Sequence, residues 1–279
     1  MQASSTSMSL SGPPRLTLES LGASGTLVHI WSADLDDPAF HDNALARLLS
    51  PGERDRAARF RYERDRRRFS TARGLLRALL GSYLNQNPGA IELTYGPSGK
   101  PKLRVAEPPL HFNVAHAESC ALFGFARGAE LGVDVEILRD LPELGEIAGR
   151  FFSPGEAERV LSTDAEDRVR AFFRCWTRKE AFIKALGDGL SRPLDSFAVT
   201  VEAHRPPCIE WAVGEPEPAN AWSLHHLEPR PGYVGAVALP RANTRVELYA
   251  LRADHRCFRG MLTRPTEERR EIDKSRTRS

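Results

Sequence analysis

The stretch "LGVDVEI", residues 131–137, sets two carboxylates on one side of an extended segment. Side chains alternate along a strand, so Asp134 and Glu136 point one way while Val133, Val135 and Ile137 point the other. Paired carboxylates repel unless a cation or solvent intervenes. A hard cation such as Mg²⁺ takes oxygen ligands of this kind, typically one or two carboxylates with phosphates completing the shell. The wet face of a half-exposed strand would give the same pattern. A second stretch, "WTRKEAFIKALGDGL" (176–190), reads as an amphipathic helix with Lys179, Glu180 and Lys184 in its middle. Glu180 and Lys184 are four residues apart and share a face with Trp176. They fit either an ordinary helix-surface ion pair or a third carboxylate beside an ammonium that meets a phosphate.

Three further places carry chemistry-capable groups. His116, in "HFNVAHAES", follows a short strand expected to lie beside 131–137 in the sheet; a hydrogen-bonded structural histidine fits as well. "YGPSGKPKL" marks a Gly/Pro turn. Residues 53–77 hold ten Arg against four Asp or Glu. That excess suits phosphate or nucleic-acid binding, or a solvated helix face with internal pairs. No P-loop, dinucleotide fingerprint, zinc spacing or serine elbow occurs.

The elements that must position these groups follow from periodicity. "TLVHIWSADL" (26–35) reads as a strand. Ser50-Pro51 opens a helical stretch, with Ser50 as N-cap. Phe69, Ala72, Leu76, Leu79 and Tyr83 continue at helical spacing until Asn87-Pro88-Gly89. "IELTYGPSGKPKL" reads as strand, turn and strand. "LHFNVAHA", "CALFGFAR" and "LGVDVEIL" follow as strands. A second Ser-Pro start, Ser153-Pro154, begins another helix, and a longer one spans 168–186. Strands return at "DSFAVTVE", "CIEWAV", "AWSLHHLE" and "YVGAVALP". Helices followed by antiparallel strands, stated twice, is α+β grammar. The expected division is a flexible leader (1–25), an N-terminal half (26–138), a C-terminal half (139–252) and a largely disordered tail (253–279).

Composition sets the outer bounds. The chain has 279 residues, 41% hydrophobic and 27% charged, with a net charge of +2. It is long enough for a sizeable core and has no apolar run of membrane-spanning length. The start lacks the apolar core of a secretory signal. Cys120, Cys175, Cys208 and Cys257 are widely spaced in apolar contexts and read as buried thiols of a reducing compartment. A cytoplasmic monomer is expected.

Taken in order, "SPGERDRAARF", "GKPKL", "HFNVAH", "GVDVE", "FFSPGE" and "WTRKEAFIKALGDGL" resemble the 4′-phosphopantetheinyl transferases of the surfactin-synthetase (Sfp-like) type, over roughly residues 26–240. The resemblance implies an α+β fold of two similar α/β halves related by pseudo-twofold symmetry, each with a small, mainly antiparallel sheet and packed helices. It implies Mg²⁺-dependent transfer of phosphopantetheine from coenzyme A to a serine of an acyl or peptidyl carrier protein, with release of adenosine 3′,5′-bisphosphate. Asp134, Glu136 and Glu180 match the family's Mg²⁺ carboxylates, and Glu180 its candidate base. Lys184 matches the lysine on the phosphates, and His116 the histidine on a coenzyme A phosphate. Gly99, Lys100 and Pro101 match the loop at the adenine end. Arg56 matches a phosphate-binding position, and Arg68 is a further basic candidate from its place in the Arg-rich stretch. Two departures stand out: Glu53 at an expected lysine, and Ala115 at an expected serine. Coenzyme A and a carrier protein are the implied partners; nucleic acid and membrane are not. A Mg²⁺-dependent phosphohydrolase or nuclease, and a non-catalytic coenzyme A-binding module, are the alternative readings.

Overall fold

The computed structural model describes residues 16–22, 26–41, 43–96, 99–104, 110–187, 192–214 and 218–252. The chain divides into two compact units, one of residues 37–91 with 252–279, the other of 1–36 with 92–251. The architecture is α+β, with helices and small, mainly antiparallel sheets.

The smaller unit is helical: α1 (Asn43–Arg47), α2 (Pro51–Ala58) and α3 (Glu63–Leu84). The Ser50-Pro51 start works as its chemistry requires. The Ser50 hydroxyl accepts from the Glu53 N–H, and the Glu53 carboxylate accepts from the Ser50 N–H, closing a capping box. Ala72, Leu76, Leu79 and Tyr83 are all buried on α3. Gly74 lets α1 press against α3, because a Cβ there would meet the Leu45 carbonyl oxygen at 2.8 Å.

The larger unit is layered. A four-stranded sheet runs in the order β11 (Arg245–Ala250), β1 (Leu27–Asp34), β5 (Cys120–Arg127), β4 (Leu110–Ala117). A three-stranded sheet runs β6 (Gly132–Ile137), β10 (Tyr233–Leu239), β9 (Ser223–Leu227). Two short hairpins, β2 (Leu93–Tyr95) with β3 (Pro101–Leu103) and β7 (Phe197–Val199) with β8 (Ile209–Ala212), complete the strands. The helices are α4 (Leu144–Phe151), α5 (Pro154–Ser162), the long α6 (Ala165–Leu186) and α7 (Pro218–Ala221). Val28, Ile30, Leu122, Val133, Val135 and Val237 share a core between the two sheets. Ala181, Phe182, Ala185, Val234, Ala236 and Ala238 share a second core between the three-stranded sheet and α6. Strand β10 thus sends alternate side chains into each core, as a strand covered on both faces must.

Several expectations are revised. The expected halves exchange strands: β6 pairs with β10, and β11 pairs with β1 in parallel. No strand is expected at β11 from the sequence, although a bend at 240–243 precedes it and Asn243 adopts φ 56°. The strand holding His116 was expected beside residues 131–137 in one sheet, but β4 and β6 belong to different sheets. They are bridged by a side chain, as Asn113 Oδ1 accepts from the Val133 N–H at 2.8 Å. The leader is not flexible throughout. Leu18–Leu21 forms a 3-10 turn, and the apolar Leu16 and Leu21 are buried. The tail expected at 253–279 lies outside the described residues. Among the described residues, no helix is long and apolar enough to cross a membrane.

Candidate active site

Strand β6 does what alternation demands. Val133, Val135 and Ile137 face the core between the sheets, so Asp134 and Glu136 face α6. The helix lies unusually close. A Cβ on Gly132 would come within 2.1 Å of the Ala181 carbonyl oxygen and 2.3 Å of the Ala185 nitrogen, distances no side chain tolerates. Gly132 therefore lets the backbone of α6 rest on β6, directly beneath the turn that carries Glu180 and Lys184. The result is an ion pair between elements. Lys184 Nζ donates to Asp134 Oδ1 at 2.6 Å, so the lysine is more than a member of an i,i+4 pair on its own helix.

Three carboxylates surround this one ammonium. Burial, and behind it the charge of Asp134, raises the Glu136 carboxyl to a pKa of about 7. Burial and the Asp134 charge also raise Glu180, and burial raises Asp134 despite its pairing with Lys184. Burial works against the Lys184 charge, but Asp134, Glu180 and Glu136 together raise its pKa above the ordinary lysine value. The site therefore holds more negative charge than it neutralises. Asp134 Oδ2 is buried with no hydrogen-bond partner. Oxygen-only donors, one of them unsatisfied, fit a hard divalent cation such as Mg²⁺. Among the described residues, no three His, Cys, Asp or Glu side chains are gathered as a ready-made metal cage. One or two of these carboxylates, with ligands from a phosphate, is the arrangement that such a site can offer.

The other candidates lie in distinct settings. His116 is exposed near the end of β4. Ala115 is buried in the core between the sheets, so a serine hydroxyl at this place would face apolar neighbours. In the β2–β3 turn, Gly99 adopts φ 76°, which suits glycine. Lys100 there spends all three ammonium protons inside the protein, on Glu130 Oε2 (2.9 Å), the Leu131 carbonyl (3.1 Å) and the Lys184 carbonyl (2.8 Å). The last of these is an orphan carbonyl in the final turn of α6. Pro101 begins β3. His111, Lys100 and Lys102 together hold the Glu130 carboxyl well below the usual range. Glu130 and Asn113 were not legible as site-supporting residues; the one signal was a polar Asn inside an apolar strand.

In the helical unit, Arg56 is exposed and lies over the Phe69 ring at 5.3 Å, and Arg68 is half-buried on α3. Arg54, Arg66 and Arg67 are the neighbours that could compensate for a missing lysine; Arg54 is engaged with the Leu49 carbonyl, Arg66 with Glu63, and Arg67 is half-buried on α3. Glu53 is not a surface position that lost its lysine. It is buried, and Arg77 Nε donates to it at 2.6 Å.

Comparison with known proteins gives one answer. Residues 130–238 match the family model described as the 4′-phosphopantetheinyl transferase superfamily, and 37–124 match that of the 4′-phosphopantetheinyl transferase N-terminal region. The chain is 39% identical to the 4′-phosphopantetheinyl transferase HetI of Nostoc sp., over 81% of this chain and 91% of that one. It is 31% identical to the 4′-phosphopantetheinyl transferase Sfp of Bacillus subtilis, over 68% of this chain and 81% of the other. Among solved structures, the Thermotoga maritima holo-[acyl-carrier-protein] synthase aligns with a TM-score of 0.31 at 21% identity, over 40% of this chain and 62% of that chain.

Proposed function

This chain belongs to the 4′-phosphopantetheinyl transferase family, of the Sfp-like type, and on that premise we propose that it transfers phosphopantetheine from coenzyme A to a serine of an acyl or peptidyl carrier protein. The observation that carries this reading is the Lys184–Asp134 pair beneath two further carboxylates, with Asp134 Oδ2 left without a partner. Such a site is suited to a pyrophosphate brought in with a divalent cation. Asp134 and Glu136 would hold Mg²⁺, with Glu180 nearby; the ion would supply charge neutralisation on the pyrophosphate oxygens.

The chain's own residues divide the remaining work. The carrier serine oxygen attacks the β-phosphorus, and the bond to the α-phosphate oxygen breaks. Glu180 takes the serine proton, directly or through water; its raised pKa brings it nearer the value a general base needs. Lys184 stabilises the departing adenosine 3′,5′-bisphosphate, where negative charge grows most. His116 is assigned to a phosphate of coenzyme A, and the 99–101 turn to its adenine end. Since Lys100 is consumed internally, that turn would offer its backbone rather than the lysine ammonium.

The test is intact-mass measurement of a purified apo carrier protein incubated with this protein, coenzyme A and Mg²⁺. The expected result is a gain of one phosphopantetheine on the carrier serine. Cleavage of coenzyme A with no gain on any carrier would overturn the transferase reading in favour of a hydrolase.

A further inference from the structure

Lys179 stands next to Glu180, yet it has no part in the site. Its side chain is fully buried, as is that of its partner Glu156. Lys179 Nζ donates to both Glu156 oxygens, at 2.8 and 2.7 Å, and to the Phe197 carbonyl at 2.7 Å. Glu156 also accepts from the Ser153 N–H (2.9 Å), the Ser153 hydroxyl (2.6 Å) and the Val199 N–H (2.8 Å). One carboxylate thus ties the start of α5, the strand β7 and the middle of α6 together. A buried pair of this kind is weak evidence for stability but strongly constrains geometry, because either charge left alone is costly.

The same device occurs a second time. Glu53 caps α2 through Ser50 and receives Arg77 Nε at 2.6 Å. Arg77 then donates to the Pro88 and Ile91 carbonyls at 3.2 and 2.9 Å. Both cations are the fifteenth residue of a 22-residue helix, and both carboxylates belong to a Ser-Pro-Gly-Glu capping box. The cation follows its carboxylate by 24 residues in one copy and by 23 in the other. In α3 the places one and five residues beyond the cation hold Ala78 and Ser82; in α6 they hold Glu180 and Lys184. The anchor is duplicated while the reactive pair is not, so the anchor has a role separable from the chemistry.

We propose that the Glu156–Lys179 pair is a positioning device that sets the roll of α6, and thereby aims Glu180 and Lys184 at β6. At about 100° per residue, Glu180 and Lys184 lie roughly 100° and 140° around the helix from Lys179. Pinning Lys179 toward α5 and β7 leaves those two only the face toward Asp134. Glu53–Arg77 is the corresponding anchor of α3, where no reactive pair follows. The catalytic half of this inference rests on the function proposed above; the geometric half does not.

The experiment compares the wild type with Lys179→Met, with the double variant Glu156→Gln/Lys179→Met, and with Glu53→Gln/Arg77→Met. Lys179→Met leaves a buried carboxylate unpaired and should lower the melting temperature by about 10 °C. The double variant removes both charges and should recover most of that loss. It should nonetheless acylate at Lys184 several-fold faster under trace acetic anhydride, read by peptide mass spectrometry. Its single-turnover transfer rate should fall roughly tenfold or more, with the KM for coenzyme A unchanged. In Glu53→Gln/Arg77→Met, Lys184 labelling should stay at the wild-type rate. Glu156→Gln alone, an isosteric change, serves the same comparison should the double variant not fold. Wild-type Lys184 labelling and turnover in a folded variant lacking the pair would overturn the proposal. Absence of transfer by the wild type would overturn the function instead, and the labelling comparison would still be read.

Discussion

At the scale of single residues, the site is a contest between like charges that one lysine partly settles. Asp134→Ala, Glu136→Ala and Glu180→Ala are each expected to fold and to lose most transfer activity; Glu136→Ala and Glu180→Ala relieve repulsion in the metal-free protein, whereas Asp134→Ala also takes away the partner of Lys184 and should lower stability. Near wild-type turnover at saturating Mg²⁺ in any one of them would remove that residue from the set of needed ligands. Lys184→Met should cut kcat by roughly 10²-fold while weakening coenzyme A binding less, and Lys184→Arg should rescue only in part, because a wide guanidinium replaces a compact ammonium. The Glu136 carboxyl, raised to about 7 chiefly by burial, gives a proton-linked signature. A bound cation favours the charged form, so Mg²⁺ binding near pH 6.5 should release a fraction of a proton. Calorimetry in two buffers of different ionisation enthalpy reads this directly. Glu136→Gln should reduce the buffer dependence, and raising the pH well above 7 should abolish it.

At the scale of elements, the site depends on how closely α6 rests on β6. Gly132 carries that contact, because its added Cβ would meet the Ala181 oxygen at 2.1 Å. Backbone cannot yield as a flexible side-chain tip can. Gly132→Ala should therefore cost about 3 kcal/mol or more as overpacking strain, and the helix should retreat from the strand. Thermal unfolding and transfer rate are expected to fall together, and an unchanged melting temperature would show that the two elements separate freely. The Ser-Pro-Gly-Glu starts were legible from sequence as helix N-termini. Their burial and their distant cations were not, because a capping box is local while Arg77 and Lys179 lie 24 and 23 residues further along the chain.

At the scale of the whole molecule, buried histidines make stability depend on pH. Burial pushes His225 from 6.5 down to about 4. Between these values the folded state binds fewer protons at this group than the unfolded chain does, so its contribution to stability rises with pH across that window and is lost as pH falls through it. The difference in unfolding free energy between the wild type and His225→Leu should therefore grow from pH 4 to 6.5 and be flat above. A difference independent of pH would mean that His225 titrates normally in the fold.

Most helices and strands, the facing of Asp134 and Glu136, the place of Glu180 and Lys184 on one helix face, and the family to which these motifs belong were legible in the sequence. Each of those rests on short-range rules: two-residue alternation, 3.6-residue periodicity and local caps. Long-range packing set the rest: β6 pairs with β10 while β11 returns to β1, Asn113 bridges two sheets, and Lys100 is spent on the end of α6. It also brings Lys184 to Asp134, and makes Lys179 an anchor although it neighbours a reactive residue. These contacts join residues that lie 18 or more positions apart in the chain. Strand pairing and buried ion pairs are settled by which surfaces exclude water together, and no window of sequence contains both partners.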